Sequence, residues 1–458
     1  MNIHTTLTEA QRTFLKDTFG DGVNFEPEVL RVYASDASLT RGEPLAMVRP
    51  KNTGEVQTLL RWADAERVAI HPRGRGTGLA GGCVPTVPGI VVSMLGMDKI
   101  LDISKTDFVA EVEPGVTTAG LQAECEKLGL MYPPDPSSVK SSTLGGNVAA
   151  CAGGLRAVKY GVTRDYVLGC EMVVPGGELL RLGTRCHKNV VGLDLVRLAV
   201  GSEGTLGILT KLILKLIPRP EASASILVGY PSLDTALEAI GDVFAAGILP
   251  SAVEFMNELT LEILSKTGDS PWPDEVKSLV LFQIDGSRES LPLEIDRIGK
   301  PLSGALWKMQ GIGQAEEEAI WAPRRRMAPA SYILGPERIS TDMVVPRGQV
   351  LNAVRRLEAI AAANGKQLVA YGHVGDGNIH ANLFHDPSDL DDTARAVKTH
   401  HEMDEAVVRE FGGTVSGEHG VGCLKDVSIQ LGKLERELMH KVRAVFDPNG
   451  IMSPGKGY

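Results

Sequence analysis

Residues 367–384 read QLVAYGHVGDGNIHANLF, two apolar runs around the turn-forming sequence Gly-Asp-Gly-Asn at 375–378. With those four residues as the loop, Val374 pairs with Ile379 and His373 with His380. Directly opposed residues of an antiparallel pair share a face, with Cβ atoms about 4.5–5.5 Å apart. Alternation along the strand adds Asn382 to that face. Two imidazoles so placed either hydrogen-bond as structural polar residues or, with a polar neighbour, hold a divalent metal. A metal needs a third ligand, and Glu418 in the sequence SGEHG (416–420) is the best candidate. Its neighbour His419 then stands beside the metal, where a general base is useful. His385, His400 and His401 read as exposed loop or helix residues.

A second chemical signal is HPRGRGTGLAGG at 71–82, which contains GTGLAG, a formal match to the dinucleotide pattern G-x-G-x-x-G. In a Rossmann unit a helix opens on the last glycine. Here the next eight residues, GCVPTVPG, hold two prolines and two glycines, which forbid that helix. The loop therefore runs from a strand at 68–70 to a strand at 90–93, its N–H groups able to cradle phosphate oxygens as a nest. It reads as a dinucleotide site of another kind. The tract SSTLGGNVAACAGG at 141–154 and the loop GSEGTLG at 201–207 are also rich in small residues. Such a tract is either a tightly packed turn or a close backbone approach to a flat or phosphorylated ligand.

The elements that must position these residues follow from periodicity. Val56, Leu59, Leu60 and Ala63 make an apolar stripe for a helix over 52–68, opened by Asn52 with Glu55 three residues on. A helix over 118–128 ends at Gly129, a hairpin joins 167–174 to 178–182 through Pro-Gly-Gly, and a strand covers 208–217. Pro218-Arg-Pro220 marks a domain boundary, and from there to about 412 helical and strand-like segments alternate. A last helix covers 433–446. The formal net charge of −10 argues against a nucleic-acid partner. Six scattered cysteines without a C-x-x-C pair argue against an internal iron–sulfur cluster and for a reducing compartment. The chain shows neither signal peptide nor membrane-spanning stretch, so the expectation is a cytoplasmic protein that reaches a membrane only through a partner.

HPRGRGTGLAGG, PPDPSS, STLGGN, GSEGTLG, HVGDGNIH and SGEHG, in this order, closely resemble the FAD-linked D-2-hydroxyacid dehydrogenases and oxidases of the vanillyl-alcohol oxidase and p-cresol methylhydroxylase superfamily. That group includes D-lactate dehydrogenases, the FAD subunit of glycolate oxidase and D-2-hydroxyglutarate dehydrogenase. The similarity runs from about Tyr33 to the SPGK ending at 453–456. It implies an α+β fold: a p-cresol methylhydroxylase-type FAD-binding domain over 1–218, an α+β cap (substrate) domain over 219–412, and a C-terminal segment, 413–458, returning to complete the active site. It implies that Arg73, Gly74, Arg75, Gly76, Thr77, Gly78 and Gly81 bind the FAD pyrophosphate. Asp135, Ser137, Thr143, Gly146, Asn147, Gly153, Glu203, Gly204 and Ile208 follow along the rest of the cofactor. Some relatives attach FAD through a histidine of the pyrophosphate loop; with Thr77 in that segment, non-covalent FAD is expected. The resemblance also supports a metal on His373, His380 and Glu418, with zinc the first expectation and manganese or iron the alternatives.

In similar proteins the first arginine after the tryptophan of IWAPRRRM grips the substrate carboxylate, which assigns Arg324; Asn382 is the second substrate-binding residue expected. The implied reaction takes a small D-2-hydroxy acid to the 2-oxo acid, with His419 taking the hydroxyl proton and hydride passing to flavin N5. Relatives acting on hydroxyglutarate carry a lysine before an aspartate where this chain has Ser340-Thr341-Asp342, which favours D-lactate or glycolate; Arg338 keeps the dicarboxylate open as an alternative. A non-redox flavin-dependent transferase of the same superfamily, and a metal-dependent hydrolase or binding protein, are further alternatives. With no second redox centre in the sequence, electrons must leave to an acceptor such as an electron-transfer flavoprotein or an iron–sulfur subunit. A homodimer is the default oligomer.

Overall fold

Asn52 begins the helix Thr53–Glu66 by accepting from the Glu55 N–H, and Val56, Leu59, Leu60 and Ala63 are its buried face. That face packs on Ile70, Ile90 and Val92, the core of a four-stranded sheet, in a computed structural model that describes residues 3–457, the side chain of Gln314 apart. In this sheet Ala69–Arg73 runs parallel to Gly89–Ser93, with Ile70 beside Ile90, and no helix intervenes between the two strands. Gly89 permits the closeness, because a Cβ there would lie 2.6 Å from the Ala69 carbonyl oxygen. The glycine loop thus leaves the end of one strand and returns along its neighbour.

The chain divides into two compact units, the first made of residues 3–153, 161–219 and 418–457. Beside the four-stranded sheet it holds an antiparallel five-stranded sheet in the order Ile100–Ser104, Val109–Val112, Ile208–Lys215, Val167–Val173, Leu179–Gly183. Gly176 and Gly177, at φ 85 and 81, make the hairpin turn. The strand expected over 208–217 stops at Lys215, because Ile217 and Pro218 cross to pair with Met131 and Leu130. The tract 141–154 contains an unforeseen helix, Leu144–Ala150, whose N-cap Thr143 accepts from Gly146 N–H. Packing overrides the poor propensity of its glycines: a Cβ on Gly145 would lie 2.5 Å from Pro114 Cβ.

The C-terminal segment returns to this unit. After the helix Lys433–Phe446, Ile70 N–H donates to the Ile451 carbonyl and Ser453 N–H to the Ile70 carbonyl, both at 2.8 Å. The buried Lys456 ammonium donates to the Gly81 carbonyl at 2.6 Å.

The second unit comprises residues 154–160 and 220–417. Its eight-stranded sheet runs Trp307–Ile312, Ala222–Tyr230, Ser278–Gly286, Ala252–Met256, Val369–Gly372, Asn378–His385, Glu337–Ser340, with Met343–Val344 also pairing to Asn378–His385. Alternate residues feed two apolar clusters: Val253 and Phe255 join one, Ala252 and Met256 the other, so both faces are covered. Glu254, Tyr371, His380 and Asn382 share the second face by alternation, where Ile320 and Trp321 of the helix Gln314–Ala330 also pack. Residues 414–417 stay with this unit because Thr414 bridges Val344 and Gly417 N–H donates to Asp342. Among the described residues no helix is long and apolar enough to cross a membrane, and the six cysteines form no disulfide.

Candidate active site

In the first unit the three small-residue stretches meet around a cavity of about 380 Å³. Gly74, Arg75, Gly76, Thr77, Gly78, Ser137, Thr143, Gly146, Asn147, Gly153, Glu203 and Gly204 line it, and Glu418 with His419 completes the wall. The walls are mostly backbone and small side chains, which suits a flat ligand with phosphates to be met by N–H groups. Arg73 works from behind. Its guanidinium donates to the carbonyls of Ser35 (2.7 Å) and Val32 (3.3 Å), lies over Tyr33, and fills the place a Gly76 side chain would need. Gly81, fixed by Lys456, and Asp135, next to the lining residue Pro136, stand outside the cavity wall. Ile208 lines a smaller neighbouring cavity of about 60 Å³ together with Arg73, Gly74, Gly146 and Gly204.

Glu203, at φ 50, accepts the N–H groups of Val421 and Gly422 at 3.0–3.3 Å, fastening the C-terminal segment to the cavity wall. Burial raises its pKa, and those two N–H donors oppose the rise. The His419 Nε2 stands 3.8 Å from Glu418 Oε1.

The second unit holds the two hairpin histidines. Their expected register is corrected by two residues: His380 pairs with Tyr371, Ala381 with Ala370 and Asn382 with Val369. Gly372 is the reason, since a Cβ there would lie 2.4 Å from the Asn378 carbonyl oxygen; the chain closes early and loops out 373–377. A two-residue shift keeps the face. His373 and His380 still meet, with Nε2 atoms 3.4 Å apart and rings at 89°. Two ligand nitrogens at about 2.0–2.1 Å from a tetrahedral ion are themselves separated by about 3.3–3.4 Å, so the pair fits a shared metal. The Asn382 amide oxygen on the same face is buried and has no hydrogen-bond partner among the described residues.

Two carboxylates to which the sequence assigned no role belong to this site. Glu254, fully buried, takes His373 Nδ1 at 2.5 Å on Oε1 and Arg324 Nε at 2.6 Å on Oε2. Burial pushes its pKa up, but the Arg324 guanidinium and the hydrogen bonds from His373 and Arg324 outweigh that and hold it below the usual carboxylate range. Its sequence signal is a lone carboxylate within the apolar strand AVEFM. Asp342 is also buried and accepts from Asn378 Nδ2 (2.9 Å), Ser416 Oγ (3.2 Å) and Gly417 N–H (3.0 Å); one of its oxygens lies within 4.8 Å of a His380 ring nitrogen. Arg324 stacks on Tyr371 at 4.6 Å. His385, expected to be exposed, is buried at the end of its strand, with Nδ1 at 3.0 Å from Thr393 Oγ1.

Residues 219–457 match the family described as FAD linked oxidases, C-terminal domain, and residues 44–183 match the FAD binding domain. The chain is 39% identical over 431 residues to the glycolate oxidase subunit GlcD of Bacillus subtilis (strain 168), covering 93% of this chain and 91% of the relative. It is 33% identical to a D-lactate dehydrogenase of Anaerostipes hadrus, covering 95% and 93%, and 33% identical to a D-2-hydroxyglutarate dehydrogenase of Stutzerimonas stutzeri (strain A1501), covering 90% of each. Among solved structures, p-cresol methylhydroxylase with substrate bound aligns over 98% of this chain and 97% of its own at a TM-score of 0.77 and 17% identity, a likeness of fold.

Proposed function

The chain belongs to the FAD-linked oxidase family, and from that premise we propose that it oxidises a small D-2-hydroxy acid, D-lactate or glycolate, to the 2-oxo acid and passes the electrons to a separate acceptor. That it is an FAD-linked oxidoreductase of the D-2-hydroxyacid dehydrogenase and glycolate oxidase group follows from the relatives. One observation carries the substrate class, a 2-hydroxy acid. The face bearing His380 and Asn382 offers metal-capable nitrogens, an unpartnered amide oxygen and, through Glu254, Arg324. That is a donor set for one carboxylate and one neighbouring hydroxyl.

In this reading Gly74–Gly78, Thr143, Asn147 and Gly204 hold the dinucleotide, and His373, His380 and Glu418 are the metal ligands. When bound, FAD supplies a two-electron acceptor and the divalent ion, zinc or alternatively manganese or iron, lowers the pKa of a coordinated hydroxyl. Arg324 takes the carboxylate, Asn382 orients the hydroxyl, and His419 accepts its proton. The name of the GlcD relative as a subunit supports a protein acceptor, an electron-transfer flavoprotein or an iron–sulfur subunit.

A second reading, D-2-hydroxyglutarate, has one observation in its favour. Arg338 shares the sheet face of Ser340 and Asn382, although its guanidinium lies over Tyr332. The deciding experiment is an anaerobic visible titration of the purified flavoprotein with D-lactate, L-lactate, glycolate and D-2-hydroxyglutarate. Bleaching by D-lactate or glycolate is expected. Bleaching by hydroxyglutarate alone would select the second reading, and bleaching by none would overturn both.

A further inference from the structure

Among the described residues Glu254 is placed where no local need of the fold requires a charge. It sits in the middle of the strand Ala252–Met256, between Val253 and Phe255, and its side chain is fully buried. A carboxylate in such a place is costly unless both oxygens are satisfied. Both are, and by two residues with different tasks: Oε1 meets His373 Nδ1 at 2.5 Å and Oε2 meets Arg324 Nε at 2.6 Å.

The consequences follow from the atoms engaged. A histidine whose Nδ1–H is given to a carboxylate carries its lone pair on Nε2, and Nε2 is the atom that faces His380. An arginine held by Nε has its plane fixed, and Tyr371 at 4.6 Å supports that plane from one face. We propose that Glu254 is a positioning residue that sets the His373 tautomer for metal binding and the Arg324 plane for the substrate carboxylate, so that one buried anion couples metal retention to substrate affinity. The inference rests on the reading of His373 and Arg324 given above and deepens it.

The test is Glu254→Gln in the full-length flavoprotein. The amide keeps the volume but has a single acceptor oxygen, so it cannot serve both donors. Stripped protein is titrated with zinc alone and with manganese alone, and KM and kcat are then measured with whichever hydroxy acid bleaches the wild-type flavin. The expected result is a metal affinity about 10–100-fold weaker, as for other groups that orient a ligand histidine, together with a raised KM at unchanged flavin content. Glu254→Asp keeps the charge with a shorter reach and should lose less of both; it also serves if the glutamine variant does not fold. A folded variant with wild-type metal affinity and wild-type KM would overturn the inference while leaving the function intact. A wild-type protein that binds neither ion would overturn the metal assignment and with it this role. Reduction of the flavin by none of the acids would count against the function alone, because the metal titration stands without it.

Discussion

The Nε2 atoms of His373 and His380 stand 3.4 Å apart with their rings nearly perpendicular, and the Nδ1 of His373 is occupied by Glu254. That separation matches two nitrogens held by one tetrahedral cation. Purified protein is therefore expected to carry about one divalent ion per chain, and His380→Ala to lose at least about nine-tenths of it. Elemental analysis of both proteins after dialysis checks this; equal metal in the two would return the pair to a structural role.

His419 lines the cavity of the first unit, beside Glu418. Replacing it with alanine removes the proposed proton acceptor. Rapid-mixing measurement of flavin reduction should find the rate lower by about 10²–10⁴ with the flavin spectrum unchanged. Near wild-type reduction would move the role elsewhere.

Gly74 abuts Thr143 in the wall of the same cavity, where a Cβ would lie 2.2 Å from the threonine Oγ1. That oxygen caps the helix Leu144–Ala150, and losing such a cap costs about 0.5–2 kcal/mol. Gly74→Ala should thus displace the wall and weaken FAD binding several-fold, by fluorescence titration of the apoprotein. Acid precipitation should leave all flavin in the supernatant of the wild type, since Thr77 offers no attachment point. Unchanged affinity in the variant, or flavin retained on the pellet, would contradict these two points respectively.

Elements with strong local signals are legible in this sequence, and those decided by packing are not. The helix Thr53–Glu66 announces itself through Asn52, Glu55 and a regular apolar stripe. The loop 74–88 is legible because its prolines and glycines exclude the helix that a Rossmann unit requires. Leu144–Ala150 is hidden because Gly145 and Gly146 argue against a helix, and only the close fit against Pro114 explains them. The register of the histidine hairpin is hidden for a similar reason: the turn residues 375–378 suggest one closure, and the approach of Gly372 to Asn378 imposes another. Glu254 could have been suspected as a charge inside an apolar strand, but its partners, His373 and Arg324, lie 119 and 70 residues away in the chain.

His71 gives a pH dependence of stability that is independent of the catalytic assignments. Its Nε2 lies 2.9 Å from the Val87 carbonyl, its buried Nδ1 has no partner among the described residues, and a second proton would find no acceptor there. Burial holds its pKa down at about 4, with the Lys456 charge adding to the effect and the Val87 bond opposing it. Unfolded, the same group titrates near its ordinary value of about 6.5. The folded pKa is the lower one, so between these values the unfolded chain binds more protons and stability rises with pH. The contribution is complete above about pH 6.5 and is lost as pH falls toward about 4, by up to about 3 kcal/mol. Denaturant unfolding at pH 7, 6 and 5 should show a steeper decline for the wild type than for His71→Gln, whose amide can keep a bond to Val87 but does not titrate. Parallel declines in the two proteins would rule out His71 as the source.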